Sequence, residues 1–194
     1  MEIGLATLDV FAQKGFHASS INEIALAAGI GKGTIYEYFS SKDELIRFSM
    51  GLFVKNIEDP VSKVLTDIAD PKERLKKFFH YVLETFKNDD RTTGLVLAIL
   101  QMLIVNRAQT QKSNLLKEMY SSAIKNIIGI ITDGVSKGIF RQEAANKAEI
   151  IAINSIAYLD GIWLHFMINH TEIDVPVQLN HYVECLLHSI SSEK

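Results

Sequence analysis

The chain has 194 residues, of which 47% are hydrophobic and 22% charged, with a formal net charge of −3. With only 3 prolines and 11 glycines, it is neither a disordered nor a linker-rich chain, and it is not a basic coat for nucleic acid. Its one cysteine, Cys185, excludes an internal disulfide or a CxxC metal pair and fits a reducing, cytoplasmic setting.

The first segment, MEIGLATLDVF, lacks a basic leader and a small-residue cleavage site, so no secretory signal is expected. Ile3, Ala6, Val10 and Phe11 repeat at helical spacing, and Gly15 is expected to stop that helix. Ser20 opens the next. Glu23 stands three residues on, the spacing of a capping box, in which each side chain satisfies a backbone N–H near the other. Ile21, Ile24, Ala25 and Ala28 supply its inner face and Gly29 its end. A third helix covers about 32–39 and is broken by Ser40 and Ser41. A fourth runs from near Lys42 through Leu45, Ile46, Met50 and Phe53 toward Asp59-Pro60. Further helices are expected at about 61–68, 72–88, 93–106, 112–137, 143–169 and 175–191. Asp70-Pro71, the polar run 87–92, Gly138 and Val175-Pro176 punctuate them. No alternating strand pattern persists, so the fold class is all-α. The most apolar run, GLVLAILQMLIV, has 12 residues (94–105). That is short of the roughly 20 needed to cross a bilayer, so it reads as a buried helix and no membrane partner is expected.

The second and third helices are shorter than the about 12 residues below which an isolated helix is marginal. They must lean on the first helix and on each other. Two short helices joined by a turn holding Gly29 and Gly31 make a helix-turn-helix. At about 100° per residue, Ile35 and Phe39 fall together toward the core. Gly33, Thr34, Tyr36 and Glu37 spread over the opposite side. That outer face has groove-reading chemistry. Gly33 allows close backbone approach, and Tyr36 and Tyr38 offer hydroxyls to phosphates. Lys32 and Lys42 sit near the helix ends, Thr34 can meet a thymine methyl, and Glu37 can accept from a cytosine amine. Geometry leaves an ordinary three-helix bundle equally open. A phosphate loop is not open, because GIGKG lacks the GxxxxGK[ST] spacing and no strand precedes it.

The stretch IGLATLDVFAQKGFHASSINEIALAAGIGKGTIYEYFSSKDEL, residues 3–45, resembles the N-terminal domain of the tetracycline-repressor (TetR) family. The resemblance rests on Phe11 before Gly15-Phe16, Ile24-Ala25 followed by Ala28-Gly29, then Gly33, Tyr36, Phe39, Lys42 and Leu45. It implies a helix-turn-helix DNA-binding domain at 1–46, with the motif at about 20–39, and a larger helical effector-binding and dimerisation domain at 47–194. It also implies a homodimer, a double-stranded DNA operator and a small-molecule effector. By position, the DNA contacts it implies are Ser20, Asn22, Lys32, Gly33, Thr34, Tyr36, Tyr38 and Lys42. Two features depart from the family pattern. Gly31 stands where the turn often has Ser or Thr, so the third helix is expected to lack a side-chain cap. Met1 lies within two residues of Ile3, so the basic arm that usually precedes the first helix is absent or outside this sequence.

The segment 148–168, AEIIAINSIAYLDGIWLHFMI, is apolar around most of its circumference and must be covered on two sides, one by its own core and one by a partner subunit. Asn154, Tyr158, Gly161 and His165 form a polar stripe on it. The stripe either lines an effector cavity or meets water and internal partners. Phe79, Phe86, Met102, Tyr120 and Trp163 are further candidate walls, each also readable as ordinary core. His181, Glu184, Cys185 and His188 have metal-ligand spacing on the last helix. A solvated or interfacial face is the preferred reading, and neither metal nor cofactor is expected.

No Ser-His-Asp order, cysteine–histidine pair or phosphate loop is evident, so an enzyme is not expected. A helical small-molecule-binding module without a DNA role is the alternative to a ligand-responsive repressor. Residues 1–47 carry four positive side chains (Lys14, Lys32, Lys42, Arg47) against six negative (Glu2, Asp9, Glu23, Glu37, Asp43, Glu44). Attraction to phosphate supplies most non-specific affinity. Gel-shift titration on random duplex DNA at physiological salt should therefore show weak binding; tight binding would refute this expectation.

Overall fold

The computed structural model of the protein describes residues 2–87, 95, 114–168 and 173–192. Among these, the elements are helices, with one isolated antiparallel bridge between Phe140 and Ser191. The chain forms two compact units, residues 1–59 with 84–117 and residues 60–83 with 118–194.

In the first unit, helix α1 (Glu2–Ala18) buries Leu8, Val10, Phe11 and Phe16. Helical geometry breaks at Gly15 as expected, at φ 76°, and a second short helical stretch follows as far as Ala18. The Ser19 hydroxyl, shared between the carbonyls of Gly15 (2.8 Å) and Phe16 (3.0 Å), holds the resumed turn. Helices α2 (Ile21–Ala27) and α3 (Lys32–Tyr38) have seven residues each. Ile21, Ile24, Ala25 and Ile35 join the α1 residues in one core with Leu45, Met50 and Phe53 of helix α4 (Lys42–Thr66). Leu95, helical and buried, joins the same core. The rest of the expected helix 93–106 lies outside the described residues. Helix α1 lies close on α4 at Gly4, where a Cβ would come within 2.4 Å of Leu52 Cδ1.

Two expected boundaries differ. Helix α4 continues through Pro60, where a break had been expected. Proline removes one backbone bond, to the carbonyl of Asn56. Buried Phe53 before it and Val61 after it anchor the helix on either side of that loss. The expected helix 143–169 is two helices, α7 (Gln142–Asn146) and α8 (Ala148–Ile168), separated at Lys147.

The second unit holds those parts of α5 (Pro71–Lys87), α6 (Asn114–Ser136), α7, α8 and α9 (Val175–Ile190) that fall within its residues. Leu75, Phe78, Phe79, Ile127, Ile131 and Leu179 lie in its core. Asp70 accepts from the Lys72 N–H ahead of α5, and Asp174 accepts from Val177 N–H ahead of α9, with Pro176 in that helix's first turn. Gly138 (φ 69°) ends α6: its own N–H bonds the Val135 carbonyl and Ile139 N–H bonds that of Gly134. The chain then turns so that Arg141 N–H meets the Ile190 carbonyl, which ties the start of α7 to the end of α9.

This turn lays the buried Phe140 ring over Gly134, where a Cβ would sit 2.1 Å from Cδ2. Overpacking costs about 1–3 kcal/mol, more than the about 0.5–1 kcal/mol that Gly→Ala contributes inside a helix. Gly134→Ala should therefore lower the melting temperature. Gly129→Ala on the same helix, with no other atom within 4 Å of the added Cβ, should raise it. Thermal melts of the two variants check both signs.

Candidate nucleic-acid interface

The turn between α2 and α3 is set by local chemistry. Gly29 takes φ 67°, its N–H bonds the Leu26 carbonyl, and Ile30 N–H bonds that of Ala25. This 6→1 pattern needs a residue tolerant of the left-handed region. Gly31 then begins α3 with no side-chain cap, as its lack of a hydroxyl predicts.

Helix α3 buries Ile35 completely and half-buries Phe39, whose ring packs against Phe48 at 5.2 Å. Lys32, Gly33, Tyr36, Glu37 and Tyr38 are exposed, and Thr34 is half-buried. Two tyrosines are unusually open for their type, Tyr36 at 50% and Tyr38 at 68%. The Lys32 ammonium lies 5.9 Å from the centre of the Tyr36 ring, at the outer limit of a cation–π contact. A Cβ on Gly33 would meet no atom within 4 Å. Packing within the protein therefore does not demand glycine there. On α2, Asn22 is exposed one turn before Leu26, itself 83% exposed. Leu26 is a surface residue that core periodicity could not single out.

At the start of α2 the capping box is complete. Glu23 N–H bonds the Ser20 hydroxyl at 3.2 Å, and the Glu23 carboxylate accepts from Ser20 N–H at 2.8 Å. The Lys14 ammonium also reaches that carboxylate, at 2.5 Å. The Lys14 bond, then the Ser20 bonds, hold the Glu23 carboxyl at about 2, far below its ordinary value. Lys14 and Glu23 are nine residues apart, so no helical period announces the pair. A second cap was legible in SSKDE: Glu44 N–H bonds the Ser41 hydroxyl, and the Glu44 carboxylate accepts from Ser40, which lowers its pKa.

Lys42 is placed differently from the other implied contacts. Its ammonium is half-buried and donates to the carbonyls of Phe16, at 2.6 Å, and Ser19.

The implied effector residues fall into separate groups. Tyr158 of α8 stacks on Tyr182 of α9 with ring centres 4.0 Å apart, and its hydroxyl donates to the Gln178 carbonyl. Tyr182 bonds Ser155 at 2.9 Å and meets the edge of fully buried Phe79. Burial raises the pKa of both tyrosines. Tyr120 of α6 donates to Asp160 of α8 at 2.9 Å. Desolvation pushes both groups up, and the carboxylate pushes the phenol further. Trp163 and Gly161 are half-buried, while Asn154 and His165 are exposed. Met102 lies outside the described residues, as does the Phe86 side chain. Ser155, Asp160 and Tyr182 were not singled out from the sequence; only their contacts across helices mark them. The sequence also showed no cysteine–histidine pair, but Cys185 Sγ lies 3.7 Å from His181 Nε2 on the exposed side of α9. Among the described residues no group of three or more His, Cys, Asp or Glu is placed to hold a metal ion.

Residues 4–47, the stretch that builds this helix-turn-helix, match the family described as bacterial regulatory proteins, tetR family. This stretch is a tetR-family domain. The chain is 27% identical over 142 residues to the fatty acid metabolism regulator protein of Bacillus subtilis, spanning 71% of this chain and 69% of that one. It is 23% identical over 170 residues to the transcriptional repressor NicS of Pseudomonas putida, spanning 88% and 79%. Its fold matches the crystal structure of the regulator FadR from Bacillus subtilis in complex with stearoyl-CoA, with TM-score 0.76 and 23% identity over 96% of this chain and 97% of that one. The match makes residues 4–47 a DNA-binding domain of the helix-turn-helix kind.

The depressed Glu23 carboxyl has a pH consequence. Its folded value is below its ordinary 4.5, so its contribution is complete above that pH and is lost as pH falls through about 2. Glu23→Gln should leave a melting temperature that falls less steeply between these limits than that of the unaltered chain. Melts at stepped pH check it; parallel curves would refute the assignment.

Proposed function

We propose that this chain is a ligand-responsive TetR-family repressor that binds a palindromic operator as a homodimer in the cytoplasm, without enzymatic activity. The observation that carries the DNA-reading part is the outer face of α3. Lys32, Gly33, Tyr36 and Tyr38 are presented to solvent by a helix whose fully buried residue is Ile35. Thr34, Ser20 and Asn22 complete the proposed contact set.

The dimer reading rests on α8. Ile150, Ile153, Leu164 and Ile168 are each 47% exposed or more, on a helix long and apolar enough by composition to cross a membrane. Yet α8 buries Ala152, Ser155 and Ile156 in a protein core and bonds α9 through Tyr158 and Ser155. A second copy would cover the outer face. Fully burying such a side chain contributes about 1.5–3 kcal/mol. Half-burying eight of them across a two-fold contact contributes roughly 6–12 kcal/mol, within the roughly 4–15 kcal/mol range of association costs.

The effector reading rests on the aromatic and hydroxyl groups of the second unit: Phe79, Tyr120, Tyr158 and Trp163, with Asn154 and His165 at its exposed edge. The stearoyl-CoA bound by the FadR relative supports an effector with an extended apolar part. Such a ligand releases DNA only by binding unequally to two states. Moving the recognition helices away from the roughly 34 Å spacing of half-sites would suffice.

Gly33→Ala tests the function. The added methyl meets no protein atom, and helix propensity favours it by about 0.5–1 kcal/mol, so stability should hold or rise. If α3 lies against DNA, binding to a duplex selected from random-sequence DNA by the full chain should fall at least tenfold, and footprints on that duplex should be two-fold symmetric. Unchanged binding by Gly33→Ala would remove α3 from the interface.

A further inference from the structure

The position of Lys42 is electrostatically odd for its own helix. It is the first residue of α4, and a cation there opposes the partial positive charge of a helix N-terminus. Its ammonium turns away from that end. It donates to the Phe16 carbonyl at 2.6 Å, in the last turn of α1, and to the Ser19 carbonyl, immediately before the Ser20 cap of α2. Helix ends leave such carbonyls without intrahelical partners and carry partial negative charge, so the cation is matched there. Phe16 and Ser19 are 3% and 4% exposed, so these carbonyls belong to nearly buried residues. An ammonium has three donors; two are committed to protein carbonyls 26 and 23 residues away along the chain.

One side chain thus fastens the end of α1, the start of α2 and the start of α4 at a single point. Lys14 braces the same turn through Glu23, and the Ser20 backbone and hydroxyl complete the network. Ser20 and Asn22 project from the segment so held.

We infer that Lys42 is a positioning residue: it acts on DNA through the α1–α2 turn it fastens, setting Ser20 and Asn22 relative to α3, and not by neutralising a phosphate. The inference rests on the DNA-binding reading, and the two roles differ in a measurable way. A phosphate-neutralising lysine releases counterions and steepens the salt dependence of binding by about 0.9 per contact on B-DNA. A positioning lysine changes affinity at every salt concentration without changing that slope.

The test uses the full chain with Lys42→Met, which keeps most of the stem and loses the donors, and Lys42→Arg, which can serve both carbonyls. In hydrogen exchange, the Ser20, Glu23 and Ile24 amides should exchange at least tenfold faster in K42M and return toward normal in K42R, with α9 amides unchanged. On the selected duplex, K42M should bind about tenfold more weakly across roughly 50–200 mM salt, with the slope of log affinity against log salt unaltered and affinity recovered in K42R. A slope shallower by roughly one per subunit overturns the proposal, and so does unchanged exchange at Ser20 and Glu23. If K42M does not fold, Lys42→Gln, which keeps a donor without the charge, is read in its place against the same two criteria. If the unaltered chain retains no duplex in the selection, the DNA reading fails, and the exchange measurement alone decides whether Lys42 fastens the turn.

Discussion

The DNA-reading surface depends on the burial of Ile35. Helix α3 has seven residues, too few to persist alone, and Ile35 is its one fully buried side chain. The core that receives it is assembled from Leu8 and Phe11 of α1, Ile24 of α2 and Leu45 of α4. Because so little of α3 is spent on attachment, most of its circumference is open to a partner. The same economy makes α3 sensitive to its neighbours, since its orientation is inherited from helices that pack around one side chain.

That dependence explains where polar interactions concentrate in the first unit. Among the described residues most gather at helix ends; Thr7 and Ser49, bonded to carbonyls one turn back within α1 and α4, are exceptions. Ser20 and Glu23 close the start of α2, Ser41 and Glu44 the start of α4, and Ser19 and Lys42 the end of α1. Each end satisfies backbone groups that a short helix cannot satisfy internally. For helices of seven residues these ends are a large share of the whole, so capping governs geometry here more than it does in a long helix.

The second unit solves a different problem. Its helices are longer, and a broad core from Leu75 to Ile190 holds them. What distinguishes it is a half-buried polar layer between α8 and α9, with Ser155, Tyr158 and Tyr182 bonded or stacked together, against an outer α8 face rich in isoleucine and leucine. The polar layer fixes the register of the two helices. The apolar face needs covering. A helix that satisfies both requirements reads in sequence as uniformly apolar.

The sequence by itself determined the all-α class, the glycine turn at 29–31, the Ser20 capping box and the outward face of α3. Each of these is written in residues three or four apart, or in a backbone angle that glycine adopts most readily. It misjudged Pro60, where a breaker sits inside a helix that neighbouring packing keeps running. Only the tertiary structure decided that Lys42 reaches two carbonyls over 20 residues away, that Lys14 meets Glu23, and that Tyr120 meets Asp160. Such contacts join residues with no periodic relation along the chain. They exist because packed helices bring distant ends together, and a linear pattern records which face is buried, not what lies across from it.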